Sequence, residues 1–277
     1  MRLSQLHIHP LKSGAILPVE RVRVEPWGLA GDRRWMVVDR DGVLLSAREE
    51  RALFTVHAST TEAGDTLTLE APGAPRLAVD RPEAAHIPVR LHRHELLARP
   101  AGAEADDWLV RVLGRPGLRL VWCDDPTRRS PNPTYGQPGD SVALADGYPV
   151  TLTTTASLRR LNDWITEAAL ERGESAPDPL PVQRFRPNLV IDGVDRAFAE
   201  DDWKRVRIGE VELRVVKHID RCVMTTIDPD DPQRRDKEPI RTLSRHRKWD
   251  GLTWFGRQLI PDTPGTVQVG DELTVLD

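Results

Sequence analysis

Short runs that alternate apolar and polar side chains recur from one end of this 277-residue chain to the other, and they restrict it to folds built mainly from half-buried strands. LHIHP and VERVRVEP alternate near the N-terminus, and RWMVVDRDGVLLSA reads as two strands joined at Asp41-Gly42. TLTLEAP, PVRLHRHELLA and RLVWC continue the pattern. Towards the C-terminus, VRIGEVELRVV predicts a hairpin turning at Gly209, and VQVGDELTVL another turning at Gly270-Asp271. Helical spacing intrudes in two places. Asp106 to Leu113 predicts a short helix stopped by Gly114. TTTASLRRLNDWITEAALERG offers threonines for an N-cap and a Leu158, Leu161, Ile165 stripe. The sum is a β-dominated α+β protein with at least one barrel-like unit.

Residues 124–140, DDPTRRSPNPTYGQPGD, contain four prolines and no periodicity, which predicts a functional lid, a linker or a disordered stretch. A domain boundary is therefore expected at its start, giving domains of residues 1–123 and 124–277. With 39% hydrophobic and 30% charged residues the composition is that of a soluble globular protein, and a net charge of -4 gives no general support to nucleic-acid binding. Two cysteines make neither a disulfide framework nor a zinc cluster, which favours a reducing compartment. MRLSQLHIHPLKS has no apolar signal-peptide core, and no apolar run approaches the ~20 residues of a membrane helix. The expected location is cytoplasmic, with no membrane partner.

Chemistry concentrates in HIDRCVMTTIDPD, residues 218–230. Cys222 there has two readings, a small half-buried hydrophobe or a thiolate placed to hold a metal or attack as a nucleophile. Polar neighbours and the adjacent cation of Arg221 stand against the first, and on the residues alone both readings stay open. Cys123 in RLVWCDD follows an apolar strand and reads as buried structure. His218 shares a strand face with Cys222 but stands too far off for direct proton transfer, and His7, His9, His92 and His94 show no pattern tied to it. Lys12, Ser13 and Gly14 in PLKSG offer an ammonium, a hydroxyl and flexible amides together. Arg33 and Arg34 in GDRRW, Arg48, and Arg186 in RFRPN add cations at strand ends, where they suit one phosphate-bearing ligand. There is no P-loop and no GxGxxG, so a nucleotide on a helix N-terminus is not indicated.

Taken in order, IHPLKSG, GLAGDRRWMVVD, LLSAREE, DGYPV, TASLRRLN, FRPNLVIDG, DRCVMTTIDPD and PGTVQVGDELTVL resemble one family over essentially the whole chain. It is the MOSC-domain family with an N-terminal MOSC β-barrel region, to which the mitochondrial amidoxime-reducing component and its bacterial relatives belong. The resemblance implies an N-terminal MOSC β-barrel-like domain followed by a MOSC β-barrel domain with peripheral helices. It also implies the molybdenum cofactor, a pyranopterin whose dithiolene holds molybdenum and which carries a phosphate, with the protein thiolate of Cys222 as the metal ligand. Lys12, Ser13, Arg33 and Arg186 match contacts to the pterin or its phosphate. Asp146 in DGYP matches an acidic catalytic residue near the metal, and Asn188 and Thr226 match further hydrogen-bonding positions. Pyridoxal phosphate binding accompanies the family as an additional expectation.

The function implied is oxidoreductase chemistry, the reduction of N-hydroxylated or N-oxide small molecules. The alternative is a molybdenum-cofactor or sulfur carrier without turnover of its own. The chain lacks the cysteines of the iron–sulfur domain that some relatives append, so electrons are expected from an external donor protein. Residues 234–248 hold seven Lys or Arg against two acidic residues, and they are the expected docking segment for an acidic ferredoxin-, flavodoxin- or cytochrome-like donor.

Overall fold

The structure, a computed structural model, describes residues 1–61, 64 and 66–277. It comprises two compact units, and neither is a single stretch of chain. One contains Met1–His7, Pro18–Pro26 and Val150–Asp277; the other contains Ile8–Leu17 and Trp27–Pro149.

In the first unit a large sheet runs in the order Leu273–Val275, Arg205–Ile208, Val211–Asp220, Leu252–Pro261, Val150–Thr154, Leu189–Asp192, Arg2–Ile8. Its pairings are antiparallel except one: Val150–Thr154 and Leu189–Asp192 lie parallel, with Leu152 opposite Leu189. Parallel neighbours need a crossover, and helix α1, Thr155–Glu171, lies in it. Thr154 is its N-cap, the hydroxyl accepting from the Ser157 amide at 3.1 Å. The helix buries Leu161 and Ile165 against Phe185, Leu243 and Phe255, with Leu158 partly buried beside them, as the apolar stripe requires. The Gly209 hairpin forms as expected, Ile208 facing Val211.

The second unit holds two smaller antiparallel sheets. One runs Trp35–Val38, Arg119–Trp122, His94–Pro100, Ile87–Leu91; the other, His57–Thr60, Thr66–Glu70, Leu77–Asp80. Cys123 is 9% exposed and lies in the core with Met36, Val38, Val121 and Leu144, so the structural reading of that cysteine holds. The short helix of this unit covers Ala103–Leu113, beginning earlier than its periodicity predicts because Gly102 serves as N-cap. It stops where expected, with Gly114 in the left-handed region at φ 65°.

Two predicted hairpins are corrected. At Asp41-Gly42 the turn exists, but Asp39 Oδ1 captures the amides of Asp41 and Val43, and the following residues make only isolated bridges, Leu44 to Val38 and Val43 to Arg90. At Gly270-Asp271 the chain also turns, yet its arms part. Gly265–Gln268 pairs with Arg21–Glu25, and Leu273–Val275 pairs with Arg205–Ile208. No helix among the described residues is long and apolar enough to cross a membrane.

Glu200 is a fully buried carboxyl in the first unit, accepting from Ser157 Oγ at 2.6 Å and Thr154 Oγ1 at 3.2 Å. Burial raises its pKa despite these hydrogen bonds. The folded state therefore binds this proton more tightly than the unfolded chain, so the contribution is full below the ordinary glutamate range and declines as pH rises through the raised value. Glu200→Gln is expected to flatten that decline. Chemical denaturation of both proteins across this range measures it, and parallel curves would exclude Glu200 as its source.

Candidate functional site

Strand Val211–Asp220 delivers Arg221 and Cys222 to a tight turn, Val223–Thr226. The two threonines of RCVMTT hold that turn. Thr225 donates from its amide and its hydroxyl to the Cys222 carbonyl at 3.1 and 3.0 Å, and Thr226 Oγ1 donates to the Val223 carbonyl at 2.7 Å. Cys222 itself is half-buried and lines a cavity of about 660 Å³, together with Arg221, Thr226, Arg235, Lys237 and Arg241. A thiol among so many cations is an arrangement for a soft electrophile or metal that carries negative charge.

Arg221 is wedged behind the cysteine. Its Nε donates to the Phe255 carbonyl at 2.7 Å, its Nη1 to the Phe185 carbonyl at 3.0 Å, and its guanidinium lies 5.3 Å from the Phe185 ring centre. Nη2 is buried with no hydrogen-bond partner among the described residues. Burial pushes this guanidinium down to about 9, against the opposing pull of Cys222 and Asp220. Only glycine fits at position 256, where φ is +77° and a Cβ would meet the Leu152 carbonyl oxygen at 2.8 Å and Arg221 Nη2 at 3.1 Å.

A second buried arginine, Arg184, ties the turn to the segment beyond it. Nη1 donates to the Thr226 carbonyl at 2.9 Å, and Nη2 reaches Asp236 at 2.9 Å and Asp228 at 3.2 Å. Two positions on, Arg186 adopts the left-handed conformation (φ 49°, ψ 48°). Asn188 is fully buried and its amide is engaged within the sheet. Oδ1 accepts from the Thr151 amide and hydroxyl at 3.1 and 2.9 Å, and Nδ2 donates to the His7 carbonyl at 3.0 Å. Its observed work is to splice three strands and fix the backbone that carries Arg186.

The other unit gathers Lys12, Ser13, Arg33 and Asp146. Lys12 is buried, donating to the Leu144 carbonyl at 2.8 Å and to Asp146 Oδ1 at 2.5 Å. Asp146 also meets His92 Nε2 at 3.1 Å and Arg48 Nη2 at 3.7 Å, and its side chain remains 55% exposed. Burial lowers the Lys12 pKa, with Arg33 and Arg129 adding to the effect and Asp146 opposing it. Asp146 is pulled well below the usual carboxylate range: desolvation works against this, but the Lys12 charge and the His92 hydrogen bond outweigh it. An ionised carboxylate is an acceptor and an electrostatic anchor, not a proton donor, at neutral pH. Arg33 is held by the buried carboxylate of Asp32, which also accepts from the His9 amide at 2.7 Å. Arg129, buried in the irregular stretch, donates to the carbonyls of Ala143, Ala145 and Asp146 and so fixes the loop that presents Asp146.

Backbone strain marks the same residues. Six non-glycine residues among those described have left-handed φ: Ser13, Arg33, His92, Arg186, Phe198 and Asp250. Three are anion-binding candidates and a fourth, His92, bonds Asp146. Such conformations cost on the order of 1 kcal/mol each and concentrate at ligand sites.

The sequence reading overlooked Arg184, Arg129, Asp32 and the His92–Asp146 pair. The doublet in RFRPN was the available signal for Arg184, and the Asp-Arg neighbours in GDRRW were the signal for Asp32; Arg129 and the His92–Asp146 pair depend on partners remote in sequence. The basic run divides between the cavity wall and a helix. Arg235, Lys237 and Arg241 line the Cys222 cavity, and Ile240–His246 is helix α3 (α2 being Ala103–Leu113) with Leu243 buried. Arg247 pairs with Asp201 at 2.6 Å. Among the described residues no three His, Cys, Asp or Glu side chains converge as a metal site.

Comparison with known proteins finds matches along most of the chain. Residues 1–116 match the MOSC N-terminal beta barrel domain, and residues 139–274 match the MOSC domain. The chain is 33% identical over 293 residues to mitochondrial amidoxime-reducing component 1 of Homo sapiens, covering 99% of this chain and 82% of that protein. It is 34% identical to the Mus musculus protein of the same name, with the same coverage, and 32% identical to mitochondrial amidoxime reducing component 2 of Rattus norvegicus, covering 97% and 81%. The expectation of pyridoxal phosphate finds no support in these matches, and the Lys12 ammonium, engaged by Asp146 and a carbonyl, is not a free amine for such a group.

Proposed function

Because the chain belongs to the family that joins a MOSC N-terminal β-barrel domain to a MOSC domain, we propose that it is a molybdenum-cofactor-dependent reductase of N-hydroxylated or N-oxide small molecules. The observation that carries this reading is the half-buried Cys222 thiol on the wall of a cation-lined cavity. Those donors fit the group: a thiolate suits a thiophilic metal, and Arg and Lys suit its oxyanions. When bound, the cofactor supplies two-electron oxygen-atom chemistry, in which R–NH–OH with two electrons and two protons gives R–NH2 and water.

The chain's own residues hold and orient. Cys222 Sγ offers one protein donor, and the Thr225 and Thr226 hydrogen bonds keep its backbone from moving. Arg221 places a cation behind it. Lys12, Ser13, Arg33 and Arg186 are proposed to bind the pterin or its phosphate, Thr226 to support the turn at the cavity, and Asn188 to position Arg186. Asp146, kept ionised by Lys12 and His92, is proposed as the catalytic carboxylate that accepts a hydrogen bond from the substrate's N–H or O–H. Lys12→Ala, Arg33→Ala and Arg186→Ala are each expected to lower pterin content more than folding stability. A charge-assisted hydrogen bond is worth about 1.5–3 kcal/mol, or roughly ten- to a hundredfold in affinity. Unchanged pterin content in all three would remove them from the site.

Electrons are proposed to come from a ferredoxin-, flavodoxin- or cytochrome-like protein, docking on the exposed part of the basic run, Arg245 and Lys248 included, in the cytoplasm. The second reading, a cofactor or sulfur carrier, rests on the same accessible thiol. Elemental analysis of the native protein, followed by assay of an amidoxime with a small artificial donor, separates the two. Molybdenum with turnover supports the reductase, molybdenum without turnover supports the cofactor carrier, and molybdenum-free protein from a cofactor-competent host defeats both of these and leaves only the sulfur carrier.

A further inference from the structure

The Cys222 cavity holds more positive charge than its own turn uses. The other basic residues of the lining are committed: Arg241 pairs with Glu238 at 2.7 Å, and Arg221, buried, donates to the Phe255 and Phe185 carbonyls. Arg235 and Lys237 differ. Both are exposed, both line the cavity, and neither makes an ion pair among the described residues. Arg235 Nε donates to Thr226 Oγ1 at 3.2 Å, which anchors the side chain while its terminal nitrogens have no acceptor among the described residues. Asp236, the carboxylate on the lining, already accepts from Arg184 at 2.9 Å and does not neutralise them. The lining also includes apolar Val223 and Ile240, both half-buried. A cavity with an apolar wall and two cations without ion pairs among the described residues, one of them anchored through Arg235 Nε, suits a molecule with an apolar body and one anionic end.

We propose that this protein acts on N-oxygenated compounds that carry an anionic group, a carboxylate or a phosphate, which Arg235 and Lys237 receive while Val223 and Ile240 flank the body of the molecule. This deepens the reductase reading and rests on it. The rival use of the same cations is to hold the phosphate of the cofactor, and the experiment separates these uses. Molybdenum-loaded protein is supplied with a small artificial electron donor and with benzamidoxime, its 4-carboxy derivative or its 4-phosphono derivative.

The expected result is a kcat/KM for at least one anionic derivative that exceeds the neutral compound by roughly tenfold at low salt, shrinking as salt is added. The preferred derivative identifies the anion as carboxylate or phosphate. In the double variant Arg235→Gln, Lys237→Gln the ratio is expected to fall towards one. A ratio near one in the unaltered protein, or a preference that survives in the variant, overturns the proposal and leaves the reductase reading standing. Loss of pterin and molybdenum from the variant also overturns it, since the two cations would then belong to the cofactor. If no amidoxime is turned over by loaded protein, the reductase reading fails by itself. Calorimetry then decides the cavity with 4-carboxybenzamide, which needs no turnover. Binding that is stronger than for benzamide and lost in the variant upholds the anion site, and equal binding of the two amides overturns it.

Discussion

Cys222→Ala is expected to reduce N–OH reduction to background and to strip molybdenum from the protein, with the fold retained. Its side chain is half-buried at a strand end, and the backbone hydrogen bonds of its turn use the Cys222 carbonyl rather than the thiol, so alanine leaves the turn intact. Cys123→Ala is the matched control. That thiol is in an apolar core where burial raises its pKa, and the Arg34 hydrogen bonds go to its carbonyl. Its loss should cost about 1 kcal/mol of stability and leave activity largely in place. Molybdenum content, circular dichroism and turnover of both variants form the measurement. Comparable loss of activity in two folded variants would sink the ligand assignment.

Arg184→Met should have the largest effect on the site that does not involve a ligand atom. The guanidinium is 3% exposed and joins the Thr226 carbonyl to two carboxylates, Asp228 and Asp236, which are 19% and 32% exposed. Removing it takes one donor from each, although the Thr226 carbonyl keeps the Asp236 amide at 3.0 Å and Asp228 keeps the Asp230 amide at 3.1 Å. Because both carboxylates retain some water, the expected destabilisation is about 2–3 kcal/mol rather than the larger cost of a wholly buried pair. Segment 226–236 should loosen with it, and cofactor retention should fall even in protein that remains folded. Thermal denaturation gives the first quantity; hydrogen exchange across 226–241 gives the second. Full protection of that segment in the variant would show that Arg184 does not hold it.

The parts of this protein that were legible in its sequence are those decided by neighbours along the chain. Period-two alternation identified the strands, Gly114 ended its helix at the expected residue, and Thr154 capped α1 because its hydroxyl needs only the amide three residues on. Cys222 stood out as a candidate for the same reason, since Arg221, Thr225 and Thr226 lie within a turn of it. The hairpin at Gly270-Asp271 was misread because a turn signal states that the chain reverses and not which strand each arm then meets. The second arm at Asp41-Gly42 failed because Asp39 competed for the amides that a ladder would use.

Tertiary structure alone decided the electrostatics. Lys12 and Asp146 are 134 positions apart, and no pattern in either segment announces that a buried ammonium will keep that carboxylate ionised. Arg184 meets Asp236 across 52 positions, and Arg33 is fixed by a buried Asp32 that itself depends on His9. The sequence by itself determined which residues have the chemistry to hold an anion or a soft metal, because charge and thiol reactivity are properties of the side chain. Only the folded protein decided which of those charges are spent on one another, because an ion pair needs two groups within a few ångströms, and that distance is set by the packing of remote strands.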